Sequence, residues 1–223
     1  MIEAPPVDLP TSHRLDERLT MTAGELLGGI GDDTIPAAFF DPQYRGVLDK
    51  LAFGNEGEQR GQRRAGLPQM TEADIAAIIR DLNRVLIPSG HLFLWLDKFH
   101  LCTGFSPWLD NTTFETVDLL TWHKQRIGMG YRTRRTAEYL VVLQKAPKRA
   151  KGVWSIHTIP DVWTEKVNRN GHTHRKPTDL QGELIAAVTN AGDIIVDPAA
   201  GSFSVMDAAH TRGRHFLGCD ILG

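Results

Sequence analysis

Two short stretches of this sequence carry residue types that chemistry uses. Asp41-Pro42-Gln43-Tyr44 follows the apolar run Ile35–Phe40. Such a run reads as a buried strand whose carboxyl end delivers an aspartate, although Asp-Pro also suits a plain turn. Asp197-Pro198-Ala199-Ala200-Gly201-Ser202 follows Ile194-Ile195-Val196 and precedes a helical pattern. A strand, glycine turn and helix let backbone approach a ligand closely and offer amides at the helix start. Asp220 ends the next apolar run, at a distance that suits a carboxylate bonding the ribose hydroxyls of a nucleoside cofactor.

The elements that must hold these residues are legible around them. Thr71-Glu72-Ala73-Asp74 opens a helix with a capping-box pattern, and Ile75, Ile78, Ile79, Leu82, Val85 and Leu86 share one face. Pro88-Ser89-Gly90 reads as its stop. Further strands are expected at 92–96, 117–122, 139–143 and 215–219, and helices at about 178–190 and through about 211. Strands alternating with helices, with acids at strand ends, predict an open α/β sheet whose ligands sit outside the carboxyl ends of its strands. Residues 45–70 read as a long loop, and 145–176 as a basic, irregular stretch.

The two stations taken together resemble the amino-group DNA methyltransferases, which modify adenine N6 or cytosine N4. The catalytic motif of that family is Asp-Pro-Pro-Tyr. The chain is most similar to the permuted group, in which that motif precedes the cofactor motif. The family's cofactor segment is matched by His174-Arg175-Lys176-Pro177, a helix, Gly192-Asp193, and Asp197-Pro198-Ala199-Ala200-Gly201-Ser202-Phe203-Ser204. Gly213-Arg214 and the strand ending at Asp220 follow in the family's order, and Glu138–Lys145 is similar to its strand before the DNA-recognition region. The chain departs from the pattern at Gln43, Ala199 and Phe203, which stand where the family has Pro, Phe and Gly.

The resemblance implies a Rossmann-like class I methyltransferase fold, a mostly parallel seven-stranded sheet with one antiparallel strand near 137–145. Residues 1–18, Pro-rich and polar, read as a loose or partner-bound N-terminal extension; the resemblance implies a single domain over 19–223 with a short DNA-recognition insertion near 145–174. S-adenosylmethionine is the implied cofactor, held by Lys176, Pro177, Asp197, Pro198, Ala199, Gly201, Ser202 and Asp220. Asp41 and the Pro42 carbonyl would accept the amino hydrogens of a flipped-out base, and Tyr44 would stack on it. Asp rather than Ser at position 41 favours adenine N6. Cytosine N4, RNA adenine and a non-catalytic cofactor- or DNA-binding relative remain the alternatives.

DNA is the expected partner, and phosphate contacts need clustered cations. Arg60, Arg63 and Arg64 form one cluster. Arg126, Arg132, Arg134 and Arg135, with Tyr131 among them, form the favoured second. Lys145, Lys148, Arg149 and Lys151 form a third, flanked by Trp154 and Trp163, which suit core or base stacking equally. The short insertion leaves recognition to be loose, or supplied by a homodimer or the 45–70 loop. His172 and His174 have no accompanying ligand cluster, so no metal is expected. The 223 residues carry a net charge of −2, 41% hydrophobic residues and two cysteines. No apolar run reaches membrane-spanning length and no secretory signal opens the chain, so a cytoplasmic protein is expected.

Overall fold

The computed structural model describes residues 2–43, 69–128, 132–166 and 175–222. Among them are eight strands: β1 (Arg18–Thr20), β2 (Ile35–Phe40), β3 (Leu86–Leu96), β4 (Phe114–His123), β5 (Ala137–Lys145), β6 (Val162–Thr164), β7 (Ile194–Asp197) and β8 (His215–Asp220). The α-helices are α1 (Ala23–Gly28), α2 (Glu72–Val85), α3 (Lys98–Thr103), α4 (Thr178–Val188) and α5 (Ser204–Thr211). The strands form one sheet in the order β1-β8-β7-β2-β3-β5-β4-β6. Only β5 runs against its neighbours, β3 and β4. This is the expected α/β, Rossmann-like architecture with its antiparallel strand at 137–145. The sheet has eight strands rather than seven, because three-residue strands at both edges carry no apolar run to announce them.

Alternation along the central strands builds two cores, one on each face. Ala38, Phe40, Leu92, Leu94, Leu96, Val141 and Leu143 face one way, against Leu26 and Leu27 of α1 and the Ile75, Ile79, Leu82 and Val85 stripe of α2. Ala37, Phe39, Phe93, Trp95, Leu140 and Val142 face the other way, against Leu180, Leu184 and Ile185 of α4 and Val205 and Ala208 of α5. The α2 capping box forms as its sequence implies: Asp74 N donates to Thr71 Oγ1 at 3.1 Å, and Thr71 N donates back to Asp74 Oδ2 at 2.9 Å.

The Pro88-Ser89-Gly90 stop does not separate helix from strand. The helix ends at Val85 and β3 begins at Leu86, with Ser89 at φ 64° and Gly90 so close to the Ile87 carbonyl that a Cβ would meet it at 2.8 Å. The turn residues are absorbed as an irregularity at the start of the strand.

The N-terminal segment, expected to be loose or partner-bound, is in contact with the body of the chain. His13 is buried and its Nε2 lies 2.9 Å from the Leu26 carbonyl. Asp16 reaches His210 Nε2 at 2.8 Å and His215 Nδ1 at 2.7 Å, and accepts the Phe216 amide at 2.8 Å. Burial alone would raise the Asp16 carboxyl, but His215, the Phe216 amide and His210 bring it below its ordinary 3.8. A carboxyl so lowered stabilises the fold above its unfolded pKa, and that gain is lost as pH falls through the folded value. Asp16→Ala is therefore expected to lower the melting temperature by about 2–6 °C near neutrality. The gap from wild type should close below about pH 4. Differential scanning at several pH values checks both points, and a gap independent of pH would contradict the ion-pair reading.

Candidate active site

Three adjacent strands bring the sequence-predicted acids to one edge. The order β8-β7-β2 puts Asp220, Asp197 and Asp41 side by side at the carboxyl ends of parallel strands. Asp41 is half-buried, Pro42 is buried and Gln43 is exposed. The Gln43 carbonyl accepts the Met70 amide at 2.8 Å, which ties together the two ends of segment 44–68. Tyr44, Arg60, Arg63 and Arg64 lie in that segment, outside the described residues, as do Tyr131, His172 and His174.

Lys176, immediately before Pro177 and α4, reaches across to this edge. Its Nζ lies 2.9 Å from Asp41 Oδ2 and 2.8 Å from Glu138 Oε2, and 4.7 Å from the centre of the Trp95 ring. The Lys176 side chain is only 16% exposed. Burial alone would pull its ammonium down, but the Asp41 and Glu138 carboxylates outweigh that and hold it above its usual range. Lys176 is a fixed cation, and its place beside Asp41 is a contact the sequence did not predict.

The turn after β7 is built from backbone. Asp197 Oδ1 accepts the Ala199 amide at 3.1 Å, the Ala200 amide donates to the Cys219 carbonyl at 2.9 Å, and the Gly201 amide donates to Asp220 Oδ2 at 3.2 Å. Gly201 is exposed at φ 49°, with open space where a Cβ would stand. On β8, Gly218 is required for a different reason: a Cβ there would meet the Asp197 carbonyl at 2.6 Å. Burial, helped by Asp41 and Asp220 and opposed by the Ala199 amide, pushes the Asp197 carboxyl up to about 8. Burial, then Asp197 and Asp220, push the Cys219 thiol up to about 12, so it is packing rather than chemistry.

Phe203 closes the turn. It sits at φ 55°, in the left-handed region that favours glycine, and no side chain caps α5 behind it. What holds it there is its ring, 1% exposed, edge-on to Phe216 at 6.0 Å and beneath the Arg18 guanidinium at 5.1 Å. Phe203→Gly would relax the backbone but empty the core. The packing loss dominates, so a net destabilisation of about 2–4 kcal/mol is expected in urea denaturation. A variant as stable as wild type would mean that the ring contributes no net packing.

The second basic cluster lies on the same edge. Arg126, Arg132 and Arg134 are exposed. The Arg135 guanidinium stands 5.8 Å from the Phe99 ring centre, with Lys98 Nζ 5.4 Å from the same ring and 3.4 Å from Thr133 Oγ1. Thr133 and Arg135, in the described part of the link before β5, thus lie against α3, which begins where β3 ends. The third cluster is partly structural. Lys145 bonds Asp33 at 2.6 Å and the Leu86 carbonyl at 2.8 Å, and Lys148 pairs with Glu115 at 2.8 Å. Trp154 and Trp163 resolve as packing residues, partly buried against the core, with their indole N–H groups on the Ile156 carbonyl and Glu165. Among the described residues no group of three or more His, Cys, Asp or Glu side chains could hold a metal ion, and no helix is long and apolar enough to cross a membrane.

The family model described as DNA methylase, of the N6/N4 type, matches residues 73–222. The chain belongs to this family. The methylase is 54% identical over 209 residues to the Type II methyltransferase M.HhaII of Haemophilus parahaemolyticus, which covers 93% of this chain and 92% of that one. Its fold is that of class I methyltransferases. It superposes on the PvuII DNA methyltransferase (cytosine-N4-specific) with a TM-score of 0.69 at 14% identity, over 92% of this chain and 81% of that one. On the M1.HpyAVI–SAM complex the TM-score is 0.61 at 17% identity, over 90% of each chain.

The structure also brings Glu138, Lys124 and Trp95, none of them singled out as functional from the sequence, to this edge around Lys176. No local pattern marks them. Glu138 is the second residue of antiparallel β5, opposite Trp122, and only the direction of β5 sends it to the edge where the parallel strands end.

Proposed function

We propose that this methylase transfers a methyl group from S-adenosylmethionine to an exocyclic amino nitrogen of a DNA base, with adenine N6 as the target. The observation that carries the reading is the placement of Asp41-Pro42 at the carboxyl edge of the sheet, beside the Asp197–Gly201 turn and Asp220. The order along the chain, with Asp41 before the cofactor segment, fits the permuted arrangement. Likeness to a Type II methyltransferase over nearly all of both chains supports a role in restriction–modification; a cytoplasmic location is part of the same proposal.

The residues present fit the cofactor. It is a cationic nucleoside, and the edge offers the buried Asp197, the half-buried Asp220 and an exposed glycine with room for close approach. Asp220 would take the ribose hydroxyls, with Gly201 and Ser202 beside the methionine part and Lys176, Pro177, Pro198 and Ala199 lining the pocket. When bound, the cofactor supplies an electrophilic methyl group on sulfur. The protein's task is to make a poor nucleophile adequate. The amino lone pair is delocalised into the base ring, and hydrogen bonds to Asp41 and to the Pro42 carbonyl localise it and stabilise the positive charge that develops on nitrogen. Holding nitrogen and methyl in line contributes further. Tyr44 would stack on the extruded base, and Arg126, Tyr131, Arg132, Arg134 and Arg135, with Arg60, Arg63 and Arg64, would meet the phosphates. A homodimer would extend the short recognition region.

Product analysis tests this reading. Protein, methyl-labelled cofactor and unmethylated mixed-sequence DNA are incubated, and the DNA is digested to nucleosides for mass analysis. N6-methyladenine is the expected product. N4-methylcytosine would retain the mechanism and overturn the base. Cofactor binding without product on any DNA or RNA would point to a non-catalytic relative.

A further inference from the structure

Asp41 does not stand alone at the edge; it ends a line of alternating charges. Lys176 bridges Asp41 Oδ2 and Glu138 Oε2 at 2.9 and 2.8 Å, and Lys124 Nζ takes Glu138 Oε1 at 2.8 Å. Each cation lies over an indole, Lys176 over Trp95 at 4.7 Å and Lys124 over Trp122 at 5.8 Å, and the two indoles meet edge-on at 6.1 Å. The backbone makes this arrangement possible. Tyr139 pairs with Leu96 and Glu138 with Trp122, so the start of antiparallel β5 arrives where β3 ends.

We infer that Glu138 is a positioning residue for methyl transfer: through Lys176 it orients the Asp41 carboxylate and keeps that carboxylate from being the sole counter-ion of a buried ammonium. The inference rests on the proposed role of Asp41 as acceptor of the target amino group. Its physical basis is competition. An ammonium held by Asp41 alone, in surroundings this enclosed, draws on the same carboxylate that must accept the amino hydrogen. Dividing Lys176 between two carboxylates weakens that competition, and the Trp95 face takes a further share of the cation. Lys124 in turn keeps Glu138 charged. Burial alone would raise the Glu138 carboxyl, but Lys176 and then Lys124 bring it down to about 2, so it remains a carboxylate at any working pH.

The test is steady-state methyl transfer by the full chain on unmethylated DNA, with wild type, Glu138→Gln and Glu138→Asp compared beside their melting temperatures. Glu138→Gln keeps the shape and removes the charge. Its kcat is expected to fall on the order of 30-fold, the scale of weakening one charge-assisted hydrogen bond. KM for DNA and for S-adenosylmethionine should stay within about twofold, because the loss appears only as charge develops on nitrogen. Glu138→Asp restores the charge one methylene short and should recover part of kcat. Wild-type kcat in folded Glu138→Gln, or a loss carried by KM or by the unfolded fraction, would overturn the inference while leaving the methyl-transfer reading intact. If Glu138→Gln does not fold, Glu138→Asp decides: reduced kcat at unchanged KM supports the assignment, and wild-type kcat overturns it. Absence of product from the wild type would overturn the underlying reading and this inference with it.

Discussion

Asp41→Ala is expected to lower kcat for DNA methylation by about 10²–10³-fold, the scale of removing one preorganised acceptor from a developing charge. Affinity for S-adenosylmethionine should change little, since most of the proposed cofactor contacts come from the turn after β7 and the end of β8, and Lys176, which contacts Asp41, keeps Glu138 as a partner. The half-buried carboxylate at the end of β2 is anchored through Lys176, which in the proposed reaction would hold it in place before the base arrives. Alanine leaves Lys176 on Glu138, which limits structural damage. Asp41→Asn keeps one acceptor oxygen without the charge and should fall between wild type and alanine. Rapid-quench turnover and calorimetric cofactor binding, measured on the same preparations, separate the two effects. Alanine at wild-type kcat would remove Asp41 from the chemistry, and a loss confined to cofactor affinity would move it into the cofactor pocket.

The parts of this molecule that could be read from sequence are those in which local pattern and tertiary role coincide. Ile35–Phe40 is apolar throughout because β2 is covered on both faces, and such a run followed by Asp announces both a central strand and a residue at its end. Asp197 and Asp220 were legible for the same reason. The α2 helix carried its own start signal and its own apolar stripe. What failed to show were features created by long-range pairing. The three-residue strands β1 and β6 exist because β8 and β4 offer them edges. Helix α3 failed to show for a different reason: it is only six residues long, too short for an apolar stripe, and rests on a local cap in which the Asp97 side chain accepts the Phe99 and His100 amides at 2.9 Å. Glu138 and Lys124 look like ordinary polar residues flanking a link, and become part of the site only through the reversed direction of β5. Phe203 stands where the family pattern has glycine. The structure shows the left-handed backbone kept and held by a buried ring instead.

The Asp197 carboxyl sets the second large expectation, a stability that falls with rising pH. It is buried, and its folded pKa of about 8 lies well above the ordinary 3.8. A raised carboxyl contributes its full stability below the unfolded pKa, where both states are protonated. That contribution is lost as pH rises through the folded value, because the unfolded chain ionises freely and the folded one cannot. Asp197→Asn retains an oxygen for the Ala199 amide and cannot ionise. Wild type and variant should therefore be close in stability near pH 4 and diverge in the variant's favour by pH 9. At about 1.4 kcal/mol per pKa unit, the divergence is on the order of 5 kcal/mol. Urea denaturation across that range measures the difference directly, and because other titrating groups are common to both proteins they cancel. Parallel profiles would mean that Asp197 ionises in the fold as readily as in the open chain. The same carboxyl links folding to ligand. A cation bound at this edge favours the ionised form, so cofactor binding near pH 7 should release a fraction of a proton, seen as a dependence of the calorimetric heat on buffer ionisation enthalpy. In Asp197→Asn that dependence should vanish. Its persistence would assign the released proton to another group and separate the stability role of Asp197 from cofactor binding.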